Sequence, residues 1–261
     1  MGSVTTITLY ADSPDQAQRA FVAAFRRIEE LNGILSDYNP QSELSRACET
    51  AGPLSADLLN IIEFSQRLSA TTDGAFDITV GPLTHLWRAA RKEKRLPSEA
   101  ELKAALSRTG YRRLTVLPDE RKIQCSVPGM QLDAGGIAKG YAADEAIRTL
   151  RQMGIQRALV AMSGDIVCSD PPPDKSGWVV SVGGKHRLLK NGAVSTSGDD
   201  FQFLEIGGER YSHIIDPRTG MPLRNSRTVS VVAPTGMEAD ALATAASVGG
   251  AEAVTSSSSS K

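Results

Sequence analysis

The sequence predicts an α+β fold, with antiparallel strand pairs and flanking helices rather than a doubly wound parallel sheet. Three observations lead to this expectation. Helix-like and strand-like segments are mixed without a regular βαβ repeat, and the second half of the chain is rich in short strands. In addition, Gly207-Gly208 separates two of these strands, which is a two-residue hairpin signal.

The elements of the first half follow from local signals. Residues 4–10 are strand-like, and Ser13-Pro14-Asp15-Gln16 then has the pattern of a capping box with proline at the first helical position. A helix is expected to follow, because apolar residues recur at three- and four-residue spacing as far as Leu31. Residues 55–70 predict a second helix, and residues 82–106 predict a charged helical segment.

The second half is predicted to hold two helices and six strands. One helix starts within the glycine-rich segment near Lys139 and ends at Gly154, and the last begins near Thr235 or Gly236. The final serine run, in residues 251–261, is of low complexity and predicts a flexible tail. The predicted strands are residues 158–161, 178–182, 193–196, 201–206, 209–215 and 227–233.

Composition narrows the range of partners. The net charge is −1 with both signs interspersed, which argues against a nucleic-acid partner because such proteins carry a basic surface. No apolar run approaches the ~20 residues that a membrane-spanning helix needs, so no transmembrane segment is expected. The chain enters its first strand without a secretory signal pattern.

Cysteine and histidine usage bears on disulfides and metals. Cys48, Cys125 and Cys168 are far apart and odd in number, which predicts that the protein has neither a disulfide framework nor a paired-cysteine zinc site. The three histidines are also scattered and form no H-E-x-x-H motif. Oxygen ligands, and therefore magnesium rather than zinc, are expected for any metal site.

Residues 133–144 are the most informative segment. Gly135 and Gly136 let the backbone approach a ligand closely, and Lys139 follows at the start of a helix. Backbone donors and a point positive charge suit a phosphate. The standard phosphate-binding motifs are nevertheless absent from the sequence. A tight strand-to-helix turn with a solvated lysine therefore remains an alternative.

Two further segments could carry chemistry. His213 lies near Asp216 at the end of a strand, where the pair could act as a general base and its orienting group. The alternative is a histidine whose hydrogen bonds are satisfied by the backbone. Asp240 and Thr244 share one face of a helix and could bind one hard cation, although a capping aspartate and a buried threonine explain the same spacing.

Eight segments form a series of motifs along the chain: residues 1–3, 36–38 with 42–45, 75–79 with 81–83, 133–140, 163–166, 195–199, 212–220 and 240–244. Taken together and in this order, they resemble the ApbE family of FAD:protein FMN transferases. The resemblance extends over nearly the whole chain. Ser163 stands where the family usually has glycine, and Asp200 stands where an aromatic residue is common.

The resemblance implies a fold and an activity. The fold is a single T-fold-like domain over residues 1–250, with the family's C-terminal region missing before the serine-rich tail. The activity is magnesium-dependent transfer of FMN from FAD to a threonine or serine hydroxyl of an acceptor protein, through a phosphoester bond, with release of AMP. Two alternatives are a magnesium-dependent FAD pyrophosphatase that gives FMN and AMP, and a non-catalytic flavin-binding protein.

The resemblance also assigns residues. Catalytic roles fall to His213, Asp216 and Lys139. Magnesium, or manganese in its place, would be held by the Gly136 carbonyl, Asp240 and Thr244. FAD would contact Met1, Tyr38, Ala75, Phe76, Asp77, Asp133, Lys139 and the backbone near Ile214.

A location follows from the resemblance as well. The family implies the bacterial periplasm or cell envelope, with an export or anchor segment missing before Met1, while a cytoplasmic location is left open.

Overall fold

The structure, a computed structural model, describes residues 4–198, 203–224 and 228–250. It combines helices with antiparallel sheets, which confirms the predicted α+β class. The chain divides into two compact units. The first unit joins the chain up to Ile34 with Gly135–Ser197 and Val229–Ala243, and the second joins Leu35–Ala134, Gly198–Thr228 and the chain from Thr244 onward.

The first unit is built on a five-stranded antiparallel sheet. Its strands, in spatial order, are β1 (Thr5–Tyr10), β4 (Arg157–Met162), β5 (Asp165–Cys168), β8 (Gly192–Ser197) and β11 (Val229–Ala233). Side chains alternate across the sheet, so that Ala158, Val160 and Met162 of β4 are buried while their neighbours are more exposed. A separate hairpin, β6 (Trp178–Val182) with β7 (Lys185–Leu189), packs Trp178 and Val180 against Cys168 and Val194.

Three helices complete this unit, and two of them carry candidate site residues. They are α1 (Pro14–Leu35), α6 (Ala138–Gln152) and α7 (Gly236–Gly249), and α7 belongs to this unit only as far as Ala243. The predicted cap of α1 is present, since the Gln16 N–H donates to Ser13 Oγ at 3.2 Å. Helix α6 packs on β4 and β5 and is followed by Gly154, whose φ of 84° is the left-handed conformation of a helix C-terminus.

The second unit combines helices with two hairpins. Its helices are α2 (Glu43–Arg46), α3 (Ala56–Thr71), α4 (Gly81–Glu93) and α5 (Glu99–Leu106), and its hairpins are β2 (Leu114–Leu117) with β3 (Lys122–Cys125) and β9 (Phe203–Ile206) with β10 (Glu209–Ser212). The core of this unit includes Leu83, Trp87, Leu204, Tyr211 and Ile215. The Trp87 indole N–H donates to the Gly220 carbonyl at 2.8 Å, which ties α4 to the loop after β10.

Most of the predicted elements are present, with three kinds of difference. The helical segment predicted for residues 82–106 breaks into α4 and α5, because Lys94 adopts φ 53° and Ser98 starts a new capping box. Strand β10 ends at Ser212 rather than at 215, where Ser212 Oγ accepts the Ile214 N–H. Strands β2, β3, β5 and β7 were not predicted, because four- or five-residue segments carry little periodic signal.

The Gly207-Gly208 turn is confirmed, with φ of 62° and 78° at its two positions. Residues 201–202 and 227, at the ends of two predicted strands, lie outside the described residues, as do residues 251–261. The assignment of residues 1–250 to one domain stays a prediction. No helix in the described part of the chain is long and apolar enough to cross a membrane.

The prediction against disulfides was wrong. Cys48 and Cys125 form a disulfide with Cα atoms 5.6 Å apart, across a sequence separation of 77 residues. The reason lies in tertiary structure: the Leu54 N–H donates to the Arg121 carbonyl at 2.7 Å, which places the segment after α2 beside the β2–β3 hairpin. An odd cysteine count indicated only that one thiol would be left over, and that thiol is Cys168, which is buried.

Reduction of this disulfide is expected to destabilise the second unit. Closing a loop of this length is worth about 4.5 kcal/mol in the chain-entropy description. Thermal unfolding followed by circular dichroism should therefore show a lower Tm with dithiothreitol than without it. A Cys48→Ser/Cys125→Ser variant should have this lower Tm both with and without dithiothreitol. The Tm of Cys168→Ala should still fall when dithiothreitol is added. A wild-type Tm that reductant leaves unchanged would contradict the expectation.

Candidate active site

Helices α6 and α7 touch through two glycines. A Cβ atom added to Gly140 would lie 2.0 Å from the Gly236 carbonyl oxygen, and one added to Gly236 would lie 2.5 Å from the Gly140 carbonyl oxygen. No side chain fits at either position, so the two backbones can meet only because both residues are glycine. This close approach lets the Gly140 N–H donate to Asp240 Oδ2 at 3.1 Å.

The start of α7 is held by a carboxylate from α6. Asp144 accepts hydrogen bonds from the N–H groups of Gly236 and Met237, at 2.7 and 2.9 Å. Burial raises the pKa of Asp144 to about 6, although these two donors act to lower it. Asp144 therefore caps α7 from a neighbouring helix, and this cap fixes the position of Asp240 one turn further along.

Lys139 lies between two buried carboxylates. Its Nζ atom is 2.9 Å from Asp165 Oδ2 and 3.6 Å from Asp240 Oδ2. The side chains of Asp165 and Asp240 are only 3% and 6% exposed, while that of Lys139 is 26% exposed. Asp165 Oδ1 also accepts the Ser195 hydroxyl at 2.5 Å. The result is a compact cluster of two acids and one ammonium group on α6, β5 and α7.

The charges of this cluster depend on one another. Burial lowers the pKa of Lys139, but the charges of Asp240 and Asp165 outweigh that effect and hold the pKa above its usual value. Burial raises the pKa of Asp240, and the Asp165 charge raises it further, against the opposing effect of Lys139. The lysine thus favours the ionised form of a carboxylate that burial alone would keep protonated.

The local backbone explains the position of Asp165. Ser163 adopts φ 56°, and a Cβ atom added to Gly164 would lie 2.5 Å from the Thr196 carbonyl oxygen. The Thr196 N–H donates to the Gly164 carbonyl at 2.9 Å, so the turn before β5 is pressed against β8. The sequence comparison included this segment but assigned Asp165 no role. The available signal in the sequence was an aspartate directly after Ser163-Gly164, a pair that is typical of a turn.

The predicted metal ligands are oxygen donors of the kind that magnesium prefers. Asp240 and Thr244 are one turn apart on α7, and Gly136 lies in the turn just before α6. In the described part of the chain, no group of three or more His, Cys, Asp or Glu side chains could hold a metal. Magnesium commonly uses one or two carboxylates together with substrate phosphates, so this donor set fits it. The Lys139 ammonium between two carboxylates shows that a cation is accommodated there.

A second group of predicted residues meets in the other unit. The Arg88 guanidinium lies 4.2 Å from the centre of the Tyr38 ring, forms an ion pair with Asp37, and places Nη2 3.6 Å from Asp133 Oδ2. Burial and the Asp133 charge raise the pKa of Asp37, although Arg88 opposes them. Tyr38 is 75% exposed, so its other face is open to a planar ligand. Arg88 links Tyr38 to Asp133, and no sequence motif indicated it.

The segment of residues 75–77 is buried. Ala75 and Phe76 are almost inaccessible to solvent. The Asp77 carboxylate accepts the Thr79 N–H at 2.8 Å, the Thr79 hydroxyl at 2.7 Å and the Tyr111 N–H at 2.8 Å. Asp77 therefore shapes the loop before α4, and its predicted contact with FAD stays a prediction.

The strand-end segment presents His213 and holds its neighbours firmly. His213 is exposed, whereas Ile214 is buried, and the Ile214 carbonyl accepts the Leu223 N–H at 2.9 Å. Both oxygens of Asp216 are hydrogen-bonded to the Arg218 side chain, at 2.9 and 2.8 Å. Asp216 would have to leave Arg218 to act as a base itself. Met1 lies outside the described residues, and the predicted roles of all these residues stay predictions.

Comparison with known proteins identifies the family. The family model described as "ApbE family" matches residues 1–260. The chain belongs to the ApbE family. This membership confirms the resemblance that the motifs had indicated.

Curated and solved relatives agree with the assignment. The FAD:protein FMN transferase of Escherichia coli K12 is 36% identical over 242 residues, which cover 84% of this chain and 68% of the relative. The ApbE protein of Thermotoga maritima is 29% identical with a TM-score of 0.87, and the match covers 98% of this chain and 86% of the relative. The apo flavinyl transferase ApbE of Pseudomonas stutzeri is 31% identical with a TM-score of 0.83. This match covers 95% of this chain and 82% of the relative.

The glycine contact between α6 and α7 can be tested with a matched pair of variants. Gly140→Ala should destabilise the protein by ~1–3 kcal/mol, because the added methyl group clashes with backbone that cannot move freely. Gly33→Ala in α1 meets nothing within 4 Å and should be neutral or stabilising by up to ~1 kcal/mol. Urea unfolding measures both. Equal stability of the two variants would show that the helices do not meet at these glycines.

Proposed function

We propose that this protein transfers FMN from FAD to the hydroxyl of a threonine or serine on an acceptor protein, in a magnesium-dependent reaction that releases AMP. Membership of the ApbE family, with relatives named FAD:protein FMN transferase, supports flavin transfer. The observation that carries the chemical proposal is the buried cluster of Lys139, Asp165 and Asp240. Hard oxygen ligands beside an ammonium group suit chemistry on a pyrophosphate.

The proposed reaction needs groups that stabilise growing negative charge, and these residues are suited to that task. The acceptor hydroxyl oxygen attacks the FMN phosphorus, the bond from this phosphorus to the bridging oxygen breaks, and AMP leaves. Negative charge grows on the phosphoryl oxygens and on the departing AMP. Lys139 offers a point positive charge held in place by Asp165, and its raised pKa keeps it protonated at neutral pH. Magnesium, held by Asp240, Thr244 and the Gly136 carbonyl, would stabilise the same charge when bound.

FAD recognition is proposed to use the second group as well. Tyr38 offers an exposed aromatic face backed by Arg88, which suits stacking with a planar ring. Asp133, held beside Arg88, would accept hydrogen bonds from FAD hydroxyl or amino groups. These assignments rest on the family resemblance together with the chemistry of the side chains.

His213 is the proposed acceptor of the hydroxyl proton. It is exposed, and the buried residues Ser212 and Ile214 on either side of it fix the backbone at this point. A histidine can accept a proton near neutral pH, which a base in this reaction must do. Asp216 is the runner-up, although its bidentate pairing with Arg218 opposes that role.

We also propose that the protein acts in the bacterial periplasm or cell envelope. The Cys48–Cys125 disulfide supports this location, because disulfides form and persist in oxidising compartments and are rare in the cytosol.

Mass spectrometry of an acceptor protein provides the direct test. The protein is incubated with FAD, magnesium and a candidate acceptor, and the acceptor is weighed while AMP is quantified by chromatography. FMN transfer predicts a covalent mass increase on the acceptor together with AMP. Free FMN and AMP without a modified acceptor would instead indicate the pyrophosphatase, and bound but intact FAD would indicate a non-catalytic flavin-binding protein.

Removal of the metal is expected to stop the reaction. EDTA should abolish AMP release, magnesium or manganese should restore it, and zinc should not, because the predicted ligands are hard oxygens. Asp240→Asn should reduce activity at least ~100-fold by weakening the metal site. Glu29→Gln, at an exposed acid on α1, is the control and should retain activity. Full activity in EDTA would remove the metal from the mechanism.

Substitution of His213 is expected to slow the chemical step. His213→Ala should cut single-turnover transfer by roughly 10²–10⁴-fold, the usual contribution of a positioned base, and leave FAD affinity nearly intact. His186→Ala, at an exposed histidine on β7, should behave as wild type. A His213→Ala variant that loses only FAD binding would reassign the histidine to the FAD site.

A further inference from the structure

We propose that the Lys139 ammonium is an internal cation of the metal site. In the metal-free protein this ammonium forms an ion pair with Asp240. When the divalent cation binds, the ammonium leaves Asp240 and is retained by Asp165. This inference rests on the proposed metal site and extends it, since it gives Lys139 and Asp165 roles in metal affinity that are separate from any contact with FAD.

The first argument is the need for a cation. Asp165 and Asp240 are both nearly inaccessible to solvent, and two buried carboxylates that face one another repel. Lys139 is the cation that the structure pairs with both of them. Without either the ammonium or a metal ion, two buried negative charges would lie close together with no compensating cation. The metal-free fold therefore depends on Lys139 at this point.

The second argument is the difference between the two ion pairs. Lys139 Nζ is 2.9 Å from Asp165 but 3.6 Å from Asp240, so the contact with Asp165 is the tighter one. The environment of Asp165 is also the more rigid. Its other oxygen accepts the Ser195 hydroxyl at 2.5 Å, and Asp165 and Ser195 are directly paired across β5 and β8. Asp165 is therefore the anchor, and the longer contact with Asp240 is the one that can be released.

The third argument is competition for one oxygen. Asp240 Oδ2 receives the Gly140 N–H at 3.1 Å and is also the atom that faces Lys139. A divalent cation bound to Asp240 would repel an ammonium group that stayed at this distance. Metal binding and the Lys139–Asp240 contact therefore oppose each other. It follows that the charge of Lys139 lowers metal affinity, even though it favours phosphate binding.

Manganese titration without FAD tests this competition. Electron paramagnetic resonance measures the concentration of free Mn²⁺, so the Kd is obtained without any enzymatic activity. Lys139→Gln should bind Mn²⁺ at least about tenfold more tightly than wild type, because the competing charge is gone. Its metal-free Tm should be lower, and saturating Mn²⁺ should raise its Tm by more than it raises that of wild type.

Two control variants separate charge from side-chain loss. Lys139→Arg retains the positive charge and should bind Mn²⁺ within about threefold of wild type. Lys185→Gln removes an exposed lysine on β7 and should change nothing. Unaltered or weaker Mn²⁺ affinity in Lys139→Gln would overturn the proposal. The measurement of this affinity does not depend on the activity of any variant.

A double-mutant cycle tests whether Asp165 acts through Lys139. In the wild-type background Asp165→Asn leaves the ammonium only Asp240 as a partner, so Mn²⁺ affinity should fall at least about tenfold. In the Lys139→Gln background the same substitution should cost much less, since no ammonium remains to be anchored. Equal losses in the two backgrounds would mean that Asp165 acts by its own charge, and the anchoring role would be rejected.

The outcomes also separate this inference from the proposed function. Wild-type protein that binds no Mn²⁺ and transfers FMN in EDTA would reject both the metal site and the inference. Wild-type protein that binds Mn²⁺ and loses activity in EDTA, with a Lys139→Gln variant of unchanged affinity, would reject the inference alone.

Discussion

The structure around the candidate site depends on the backbone contact between Gly140 of α6 and Gly236 of α7. Two helices usually meet through side chains, at interaxial distances of about 8–10 Å. Here the absence of two Cβ atoms lets carbonyl groups approach the opposite backbone, and it brings Asp240 within hydrogen-bonding reach of Gly140. The Asp144 cap and the Lys139–Asp240 ion pair join the same two helices, so the position of Asp240 beside Lys139 depends on two residues that have no side chain.

The pairing of Lys139 with two buried acids sets the charge of the candidate site. Buried ion pairs contribute little net stability, since desolvation offsets much of the attraction. A cluster with two carboxylates and one ammonium group keeps a net negative charge, and it is surrounded by protein groups that cannot reorganise as water does. Such a site is suited to a further cation, and a bound cation would in turn favour a phosphate ester.

Local signals in the sequence were sufficient to predict much of the fold. The cap at Ser13, the helix of residues 55–70 and the Gly207-Gly208 turn each depend on a few neighbouring residues, and each is present. The Cys48–Cys125 disulfide was missed because it depends on which distant segments pack together. The short strand β5 was missed because four residues carry too little pattern to distinguish strand from loop.

The same division applies to the candidate site. The four-residue spacing of Asp240 and Thr244 and the glycines before Lys139 were readable, since a helix or a turn places such residues together. The places of Asp165 and Arg88 in the site could not be predicted, because their partners are distant in the chain. Asp165 lies close to Lys139 and Asp240, which are 26 and 75 residues away. Arg88 pairs with Asp133 and Asp37, which are 45 and 51 residues away. Family resemblance located the segments, and only the packed structure paired the side chains.

The two tryptophans give the molecule a useful optical property. Trp87 is buried in the core of the second unit and stacks with Tyr211, while Trp178 is buried in the first unit beside Val180. The sequence contains no other tryptophan. Each unit therefore carries one tryptophan of its own, and replacing either indole by phenylalanine leaves a tryptophan emission that reports on the other unit alone. Loss of order in one unit can be distinguished from loss of order in the other without any attached dye.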